Sequence, residues 1–320
     1  MNKRILIPTD FSKNALNAAR YALDLYEKQN CEFYFLNVFH VDGYTTDYLA
    51  LPEAGSPDYD AALEASEKAF EKLVEVLALH NDNPKHQYHT ISSLNFLSEA
   101  MKHIIAKEAI DLVVMGTQGA TGHKGIIFGS NTVKAMEKIT ACPVLAIPEM
   151  VRFTPIKEIV FPTDLKTNYK SKELDYLIDI ARMHGSAIRI LHITNTEELS
   201  TTQQDSKEYL ETIFSTIECT FHTLTGLSVA KGITTFVASR DSSMIAFINR
   251  SHFFFGTVFS KPLIKRLATK PQHLFLRFIN IISNHIPIYF HGNFKYLLRT
   301  SYIFKNSQAS AMGRGYCSKY

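Results

Sequence analysis

The glycines of this sequence concentrate between an apolar segment and a helical one. The segment GTQGATGHKGIIFGS, residues 116–130, contains five of the chain's 14 glycines. Glycine has no Cβ, so its backbone can turn sharply and approach a ligand closely. The first N–H groups of a helix have no partner within the helix, so a helix that begins near Asn131 can bind an anion. Ser130 adds a hydroxyl and Lys124 a positive charge. The segment therefore predicts a cradle for a polyphosphate.

The glycine spacing differs from the two common phosphate-binding loops. Neither G-x-x-x-x-G-K-[ST] nor G-x-G-x-x-G fits the segment. Instead, Gly116 and Gly119 are followed, after nine further residues, by Gly129 and Ser130. The alternative reading is a long connection in which Ser130 caps the next helix.

A ten-residue motif occurs twice and indicates two copies of one fold. ILIPTDFSKN begins at Ile5 and IVFPTDLKTN begins at Ile159, and both fit I-x-x-P-T-D-x-x-x-N. After each motif, helical segments alternate with strand-like segments, which is typical of right-handed crossovers and a parallel sheet covered on both faces. The sequence predicts an α/β protein with two tandem doubly wound, Rossmann-like domains and five-stranded parallel sheets. The predicted boundaries are 1–150 and 151–270, with an atypical segment at 271–320.

The aspartate of the first motif is a second candidate for ligand contact. Asp10 follows the first predicted strand directly, at the edge of the sheet where ligands of open parallel sheets bind. An aspartate in this place can instead cap the next helix, a role that Ser12 or Asn14 could share. Asp164 occupies the same place in the second copy.

The second copy lacks the glycine loop and is expected to hold no nucleotide. Its corresponding segment reads INRSHFFFGTVFSKPLIK and keeps only Gly256. Phe259 stands where the first copy has Gly129, and Ser260 replaces Ser130. Arg250 and His252 could still attract an anion, but a filled pocket fits bulky side chains in these places better. One functional site per chain is therefore predicted.

The last 55 residues, from Arg266 onward, differ in composition from the rest. They contain eight Lys or Arg residues and no Asp or Glu, so the remainder has a net charge of −5 and the overall basic balance does not predict nucleic-acid binding. No fifth strand of the second domain is evident here. A frameshift near Thr269–Lys270 would explain this, because a one-nucleotide shift can restore a strand-like T-P-x-L-I-F. The alternative is a genuine basic, aromatic tail.

Other features limit the protein class. No secretory signal and no apolar run long enough for a membrane span are evident, so a cytoplasmic protein without membrane contact is expected. The four cysteines are far apart, which predicts reduced, small apolar residues. No metal-ligand spacing and no G-x-S-x-G motif occur, and no general base can be named. An enzyme is therefore not predicted, beyond slow ATP hydrolysis at most.

The motifs together resemble the universal stress protein family over about residues 1–265. Members that bind ATP carry G-x2-G-x9-G-[ST], matched by Gly116, Gly119, Gly129 and Ser130, and they carry the P-T-D of the first strand. The resemblance implies a fold like that of the adenine nucleotide alpha-hydrolases and the following ATP-binding residues: Thr9, Asp10, Val38, Gly116, Gly119, Gly129, Ser130, Asn131 and Thr132. Asp10 would lie beside the adenine and ribose, and the backbone near Val38 would contact the base.

The resemblance also implies partners and a role. ATP would bind together with Mg²⁺, and the phosphates and water would hold this ion more than a protein cage would. The two domains would pair within the chain, and a homodimer is a further expectation. The implied role is a nucleotide-dependent stress-response or signalling module. The alternatives are an ATP-hydrolysing or adenylating enzyme of the same fold and an interaction module without a ligand.

Overall fold

The computed structural model describes most of the two repeated segments and two short strands of the last 55 residues. The described ranges are 2–41, 54–117, 129–166, 169–196, 198–249, 274–279 and 298–303. Within them the strands are β1 (Lys3–Pro8), β2 (Cys31–Val38), β3 (His86–Ser93), β4 (Leu112–Gly116), β5 (Val144–Ile147), β6 (Glu158–Thr163), β7 (Ala187–Thr194), β8 (Cys219–Thr225), β9 (Met244–Asn249), β10 (Leu274–Ile279) and β11 (Leu298–Ile303). The helices are α1 (Lys13–Leu25), α2 (Pro57–His80), α3 (Leu97–Lys107), α4 (Ser130–Lys138), α5 (Ser171–His184), α6 (Thr201–Ile213) and α7 (Val229–Arg240).

The first domain is a doubly wound α/β unit, as the sequence predicts. Its five strands lie in the order β3-β2-β1-β4-β5, and every neighbouring pair is parallel. Parallel neighbours need a crossover, and here α1 to α4 supply the crossovers. Apolar residues on the two faces of this sheet belong to two separate core clusters, so helices cover both faces.

The second domain repeats this arrangement. Its strands lie in the order β8-β7-β6-β9, again all parallel, with α5 to α7 as crossovers. Two α/β domains with parallel sheets of five and four strands confirm the predicted fold class.

The turn after the first strand of each domain has the same geometry in both copies. Phe11 and Leu165 both adopt left-handed backbone angles, with φ of 60° and 57°. The hydroxyl of Thr9 accepts a hydrogen bond from the Phe11 N–H at 3.0 Å, and that of Thr163 accepts one from the Leu165 N–H at 2.9 Å. A left-handed residue other than glycine costs about 1–2 kcal/mol, and the threonine hydroxyl stabilises the turn that requires it. The shared turn is the structural counterpart of the repeated motif.

A strand lies where the sequence analysis finds none. β10 runs parallel to β9, from the pair Leu274 and Met244 to the pair Ile279 and Asn249. This is the place of a fifth strand in the second domain, so the expectation that no such strand follows was wrong. The strand LFLRFI is rich in phenylalanine and isoleucine, which favour strands. The domain boundary at residue 270 and the frameshift stay predictions.

The two domains contact each other through α1 and α5. The Tyr26 hydroxyl is hydrogen-bonded to the Tyr176 hydroxyl, and the Lys3 ammonium lies 3.1 Å from the Asp179 carboxylate. The Asn17 side chain donates to the carbonyls of Pro148 and Val151, at 3.1 Å and 2.8 Å, and so holds the connection between the domains against α1.

Three of the cysteines lie in the described residues, and all three are free thiols. Cys31 and Cys142 are buried, and burial raises the pKa of each thiol to about 12. Burial also raises the pKa of the Cys219 thiol to about 11. These thiols are therefore protonated near neutral pH and are weak nucleophiles.

A carboxylate at the start of β6 ties three segments of the second domain together. Glu158 accepts hydrogen bonds from Arg189 of β7 at 2.8 Å, from Arg240 at the end of α7 at 2.9 Å and 2.8 Å, and from Ser242 at 2.7 Å. Burial raises the pKa of the Glu158 carboxyl, but the hydrogen bonds from Arg240, Ser242 and Arg189 outweigh burial and lower it to about 2.

A Glu158→Gln variant is expected to lose about 1–3 kcal/mol of the free energy of unfolding, because it leaves two arginines without their shared carboxylate. The pKa is lower in the folded than in the unfolded protein, so this contribution is complete above the ordinary value of 4.5 and disappears as the pH falls from 4.5 toward 2. Urea unfolding at pH 7 and pH 3 measures both effects. Glu218→Gln is the control, since Glu218 also bonds Arg189 but its side chain is 71% exposed. Equal effects of the two variants at pH 7 would contradict the expectation.

Candidate functional site

The candidate site lies where the strand order of the first sheet reverses. The chain proceeds from β1 outward to β2 and β3, and then returns to the other side of β1 as β4. Ligands of open parallel sheets bind outside the carboxyl ends of the strands at such a point. β1 pairs with β4 at Ile5–Leu112 and Leu6–Val113, and counting forward in this register places Thr9 level with Gly116. The two predicted motifs are thus neighbours in the fold, although they are far apart in the sequence.

The Asp10 side chain is exposed at this edge. One carboxylate oxygen accepts a hydrogen bond from the Ser12 N–H at 3.1 Å, which closes a short turn. The cap of α1 is Ser12, whose hydroxyl accepts from the Ala15 N–H at 3.2 Å. The capping role that the sequence allows for Asp10 therefore belongs to Ser12, and Asp10 orients the turn instead.

A buried polar network fixes this turn to the neighbouring strands. The side-chain amide of Asn37 donates to the carbonyl of Thr9 at 2.8 Å. The amide oxygen of Asn37 accepts from the Ser66 hydroxyl of α2 at 2.9 Å, and Ser66 is also bonded to the Ser92 hydroxyl of β3 at 2.8 Å. Sequence analysis missed Asn37. The available signal was an asparagine inside an otherwise apolar strand, a position that asparagine rarely occupies.

Packing within the protein requires a glycine at position 116. A Cβ added to Gly116 would lie 2.8 Å from Cγ and 2.9 Å from Oδ1 of Asn14, a side chain of α1 that is only 3% exposed. The close approach predicted for this glycine is therefore filled by Asn14. The sequence suggests only a capping role for Asn14, at the start of α1.

The two ends of the glycine segment are joined. The Gly129 N–H donates to the Thr117 carbonyl at 2.6 Å, and the Thr132 hydroxyl donates to the Gly116 carbonyl at 2.8 Å. Thr132 is buried, so its side chain positions α4 against β4. Gly119, with the rest of 118–128, lies outside the described residues.

The first turn of α4 presents backbone N–H groups without a side-chain cap. Its N-cap is Gly129, which makes no side-chain cap hydrogen bond. Ser130 and Asn131, the first two residues of the helix, have exposed side chains. Four other helices are capped by a serine hydroxyl: α1 by Ser12, α2 by Ser56, α6 by Ser200 and α7 by Ser228. Since the positive end of a helix dipole favours an anion, the start of α4 is suited to accept phosphate.

Val38 is the last residue of β2 and lies level with Ser93 of β3. Its side chain is half-buried and packs against the core cluster on one face of the sheet. The next residue, Phe39, donates its N–H to the Ser93 carbonyl at 3.0 Å. The end of β2 is thus held rigidly beside the turn that carries Asp10.

The same place in the second domain has different chemistry. β6 pairs with β9 at Ile159–Met244 and Val160–Ile245, and counting forward in this register places Thr163 level with Ile248, a buried residue in the place of Gly116. His192 replaces Asn37, and its Nδ1 lies 3.0 Å from the Thr163 carbonyl oxygen. The predicted bulky residues of this copy, Arg250, His252, Phe259 and Ser260, and with them Gly256, lie outside the described residues.

A small cavity adjoins the site on its outer side. It has a volume of about 80 Å³ and lies between the start of α3, at Phe96 and Leu97, and the α4 residues Asn131 and Lys134. Ligand pockets usually measure about 300–1,000 Å³, so this cavity is too small for a whole nucleotide.

Two further features concern metal binding and membrane-spanning helices. Within the described ranges, no group of three or more His, Cys, Asp or Glu side chains is arranged to hold a metal ion. None of the helices in the described part of the chain combines the length and apolar character needed to cross a membrane. The predicted cytoplasmic location stays a prediction.

Comparison with known proteins finds a family that the first domain resembles. A model of the universal stress protein family matches residues 1–148. A universal stress protein of Methanocaldococcus jannaschii is 29% identical over 147 residues, which are 45% of this chain and 81% of that protein.

Solved structures extend the likeness of fold to both domains. The structure of a universal stress protein from Archaeoglobus fulgidus DSM 4304 covers 87% of this chain and 96% of its own, with a TM-score of 0.59 and 16% identity. Another universal stress protein structure from Archaeoglobus fulgidus, in complex with dAMP, covers 39% of this chain and 99% of its own, with a TM-score of 0.30 and 15% identity. Residues 1–148 of this chain therefore match the universal stress protein family, which confirms the resemblance for the first domain.

Proposed function

We propose that the first domain binds ATP at the carboxyl edge of its sheet. The phosphates accept hydrogen bonds from backbone N–H groups at the start of α4, and the adenosine part lies between Asp10 and the end of β2. Mg²⁺ arrives with the phosphates, whose oxygens and water supply its ligands. The chain acts as a nucleotide-dependent stress-response or signalling module.

The observation that carries this proposal is the uncapped start of α4. Gly129 makes no side-chain cap hydrogen bond, and Thr132 in the first turn of the helix is bonded to the Gly116 carbonyl of β4, the strand next to β1. Backbone N–H groups and the helix dipole together bind anions well. The glycine spacing of the family's ATP-binding members supports the same assignment at Gly116, Gly119, Gly129 and Ser130.

The adenosine end of the site is proposed from the family resemblance and from the position of two residues. Asp10 is exposed at the sheet edge, where its carboxylate can accept hydrogen bonds from ribose hydroxyls. Val38 ends the neighbouring strand, so its backbone can reach the base. The network of Asn37, Ser66 and Ser92 holds both places in a fixed relation.

One site per chain is proposed. In the second domain, Ile248 occupies the place of Gly116, and its side chain is buried. Ile248 has a side chain at the position where the first domain has a glycine packed against Asn14. This difference supports the expectation that the second domain holds no nucleotide.

Calorimetric titration of the purified chain tests this proposal. ATP with Mg²⁺ is expected to bind with a stoichiometry of one per chain. ADP is expected to bind more weakly than ATP, and adenosine at least about tenfold more weakly, because the charged phosphates supply much of the binding energy. Equal binding of adenosine and ATP would contradict the placement of the phosphates.

Measurements on the same purified protein distinguish this proposal from two alternatives. Rapid release of phosphate or pyrophosphate from bound ATP would favour an enzyme of this fold, whereas slow or absent turnover favours a binding module. Absence of binding for every nucleotide would favour an interaction module without a ligand. A signalling role further requires that the nucleotide bind two conformations of the chain with different affinities, because only this difference can shift their populations.

A further inference from the structure

The end of α1 lies at the contact between the two domains and carries backbone carbonyls that need partners. Carbonyls at the end of a helix have no partner within the helix. Four consecutive carbonyls here each accept a hydrogen bond from a side chain: Leu25 from His184, Tyr26 from His86, Glu27 from Asn83 and Lys28 from Lys85. His184 belongs to α5 of the second domain, and the other three side chains belong to the first. Two histidines therefore hold the end of α1, one from each domain.

The contacts of the His86 ring leave no place for a second proton. Its Nε2 lies 3.1 Å from the Tyr26 carbonyl oxygen, so this nitrogen carries the proton of the neutral ring. The other nitrogen, Nδ1, is buried and has no hydrogen-bond partner among the residues that the structure describes. The ring also packs edge-on against Phe33, with ring centroids 4.9 Å apart. Protonation would therefore create a buried N–H group without an acceptor, which is unfavourable.

The charged groups around His86 do not reverse this preference. Burial is the largest effect and lowers the pKa of His86 below its ordinary value of 6.5. The carbonyl partner of the ring and the carboxylates of Glu27 and Asp24 offset part of this shift, and the Lys85 ammonium adds to it. Asp24 is itself shared with His80 of α2, whose Nε2 lies 2.9 Å from the carboxylate. The ring of His86 is therefore neutral near pH 7.

His184 is in the same situation on the other side of the domain contact. Its ring donates to the Leu25 carbonyl, and its Nε2 is buried without a hydrogen-bond partner in the described part of the chain. Phe153 of the connection between the domains lies beside the ring, with centroids 5.9 Å apart, and packs in turn against Tyr21 of α1. Burial lowers the pKa of His184, the Leu25 carbonyl offsets part of this shift, and the Lys28 ammonium adds to it.

We propose that the end of α1 is a pH-sensitive joint between the domains, closed while His86 and His184 are neutral and loosened when they bind protons. His86 acts on the domain contact through Tyr26, whose hydroxyl is bonded to the Tyr176 hydroxyl of α5. Both pKa values are lower in the closed form than in the open form. The closed form is therefore fully stabilised above the ordinary pKa of about 6.5 and loses this stabilisation as the pH falls below it. This joint does not depend on nucleotide binding.

Hydrogen–deuterium exchange of the full chain at pH 7.5 and pH 5.0, corrected for the intrinsic effect of pH on exchange, tests the proposal. Protection of the amides in the last turns of α1 and α5 is expected to fall at least about tenfold at pH 5.0, since one histidine can contribute at most about 30-fold over this range. The last turn of α3, which packs on the opposite face of the first sheet, is expected to change less than about threefold. A fall at α1 and α5 no larger than that at α3 would overturn the proposal.

Glutamine variants separate the two histidines from other groups that titrate in this range. A His86→Gln/His184→Gln variant keeps an N–H donor for each carbonyl but cannot bind a proton there. Its protection at the ends of α1 and α5 is expected to differ less than about threefold between the two pH values. The matched control is His103→Gln, an exposed residue of α3, which is expected to keep the wild-type fall. A double variant that also keeps this fall would contradict the joint.

An NMR pH titration of the histidine ring protons of the wild type needs no variant. His86 and His184 are expected to titrate below 6.5, because their protonated rings lack acceptors in the closed form. Titration of either ring at or above 6.5 would show that the closed form accepts the proton, and the proposal would be wrong.

Discussion

A Gly129→Asp variant is expected to lose ATP affinity by about 100-fold or more and yet to unfold no more easily than the wild type. Gly129 has φ of −63° and ψ of 158°, which any residue can adopt, so the substitution causes no backbone strain. Aspartate is among the preferred N-cap residues, and its carboxylate can accept hydrogen bonds from the N–H groups in the first turn of α4. The same carboxylate takes the place of a phosphate and repels the others.

The comparison with Gly129→Asn separates the effect of a side chain in the phosphate position from the effect of its negative charge. Asparagine has almost the same shape and also caps a helix, but it carries no charge. It is expected to weaken ATP binding less than aspartate does. Calorimetry measures the affinities and thermal unfolding measures the stability. An aspartate variant that binds ATP like the wild type would show that the phosphates do not lie at the start of α4.

A Gly116→Ala variant is expected to lose about 1–3 kcal/mol of the free energy of unfolding, because its Cβ would overlap a buried side chain. The added atom lies 2.8 Å from Cγ of Asn14, in the middle of a short side chain that is 3% exposed. Since the Gly116 carbonyl also holds Thr132, the displacement is expected to disturb the start of α4 and weaken ATP binding as well.

A matched control for this variant is Gly232→Ala in α7. Its Cβ would lie 2.7 Å from Cδ1, the end of the Ile193 side chain, and 3.0 Å and 3.3 Å from Cγ1 and Cγ2, so rotation of the terminal methyl group relieves the closest contact. Alanine also favours the helix by about 1 kcal/mol relative to glycine, so a change close to zero is expected. Urea unfolding of both variants measures the difference. The double variant Gly116→Ala/Asn14→Ala should lose less than the sum of the single losses. Additive losses would contradict the contact between Gly116 and Asn14.

Much of the fold could be predicted because the repeated motif is local. P-T-D marks the end of the first strand in each copy, and the alternating apolar pattern that follows determines a doubly wound unit. The structure confirms this fold class. β10 was missed because LFLRFI has no likeness to CPVLAIPE, its counterpart in the first copy, and strand formation depends strongly on the neighbouring strands.

Sequence analysis could predict that the two segments of the candidate site are neighbours, but not the contacts within them. The glycine spacing and Asp10 indicate two chain segments, and the parallel topology makes them neighbours. The partner of Gly116 could not be predicted, since the contact with Asn14 depends on how α1 packs on β4. The Asn37 network likewise joins residues from two strands and a helix, and no sequence spacing encodes it.

The most direct test of the proposed site is an NMR titration of the ¹⁵N-labelled chain with ATP and Mg²⁺. The largest shifts are expected at the backbone amides of Ser130, Asn131 and Thr132, with smaller shifts near Asp10 and Val38 and none at the corresponding turn of the second domain, Thr163–Leu165. Unchanged amides at the start of α4 under saturating ATP would contradict the proposed site, and so would dominant shifts in the second domain.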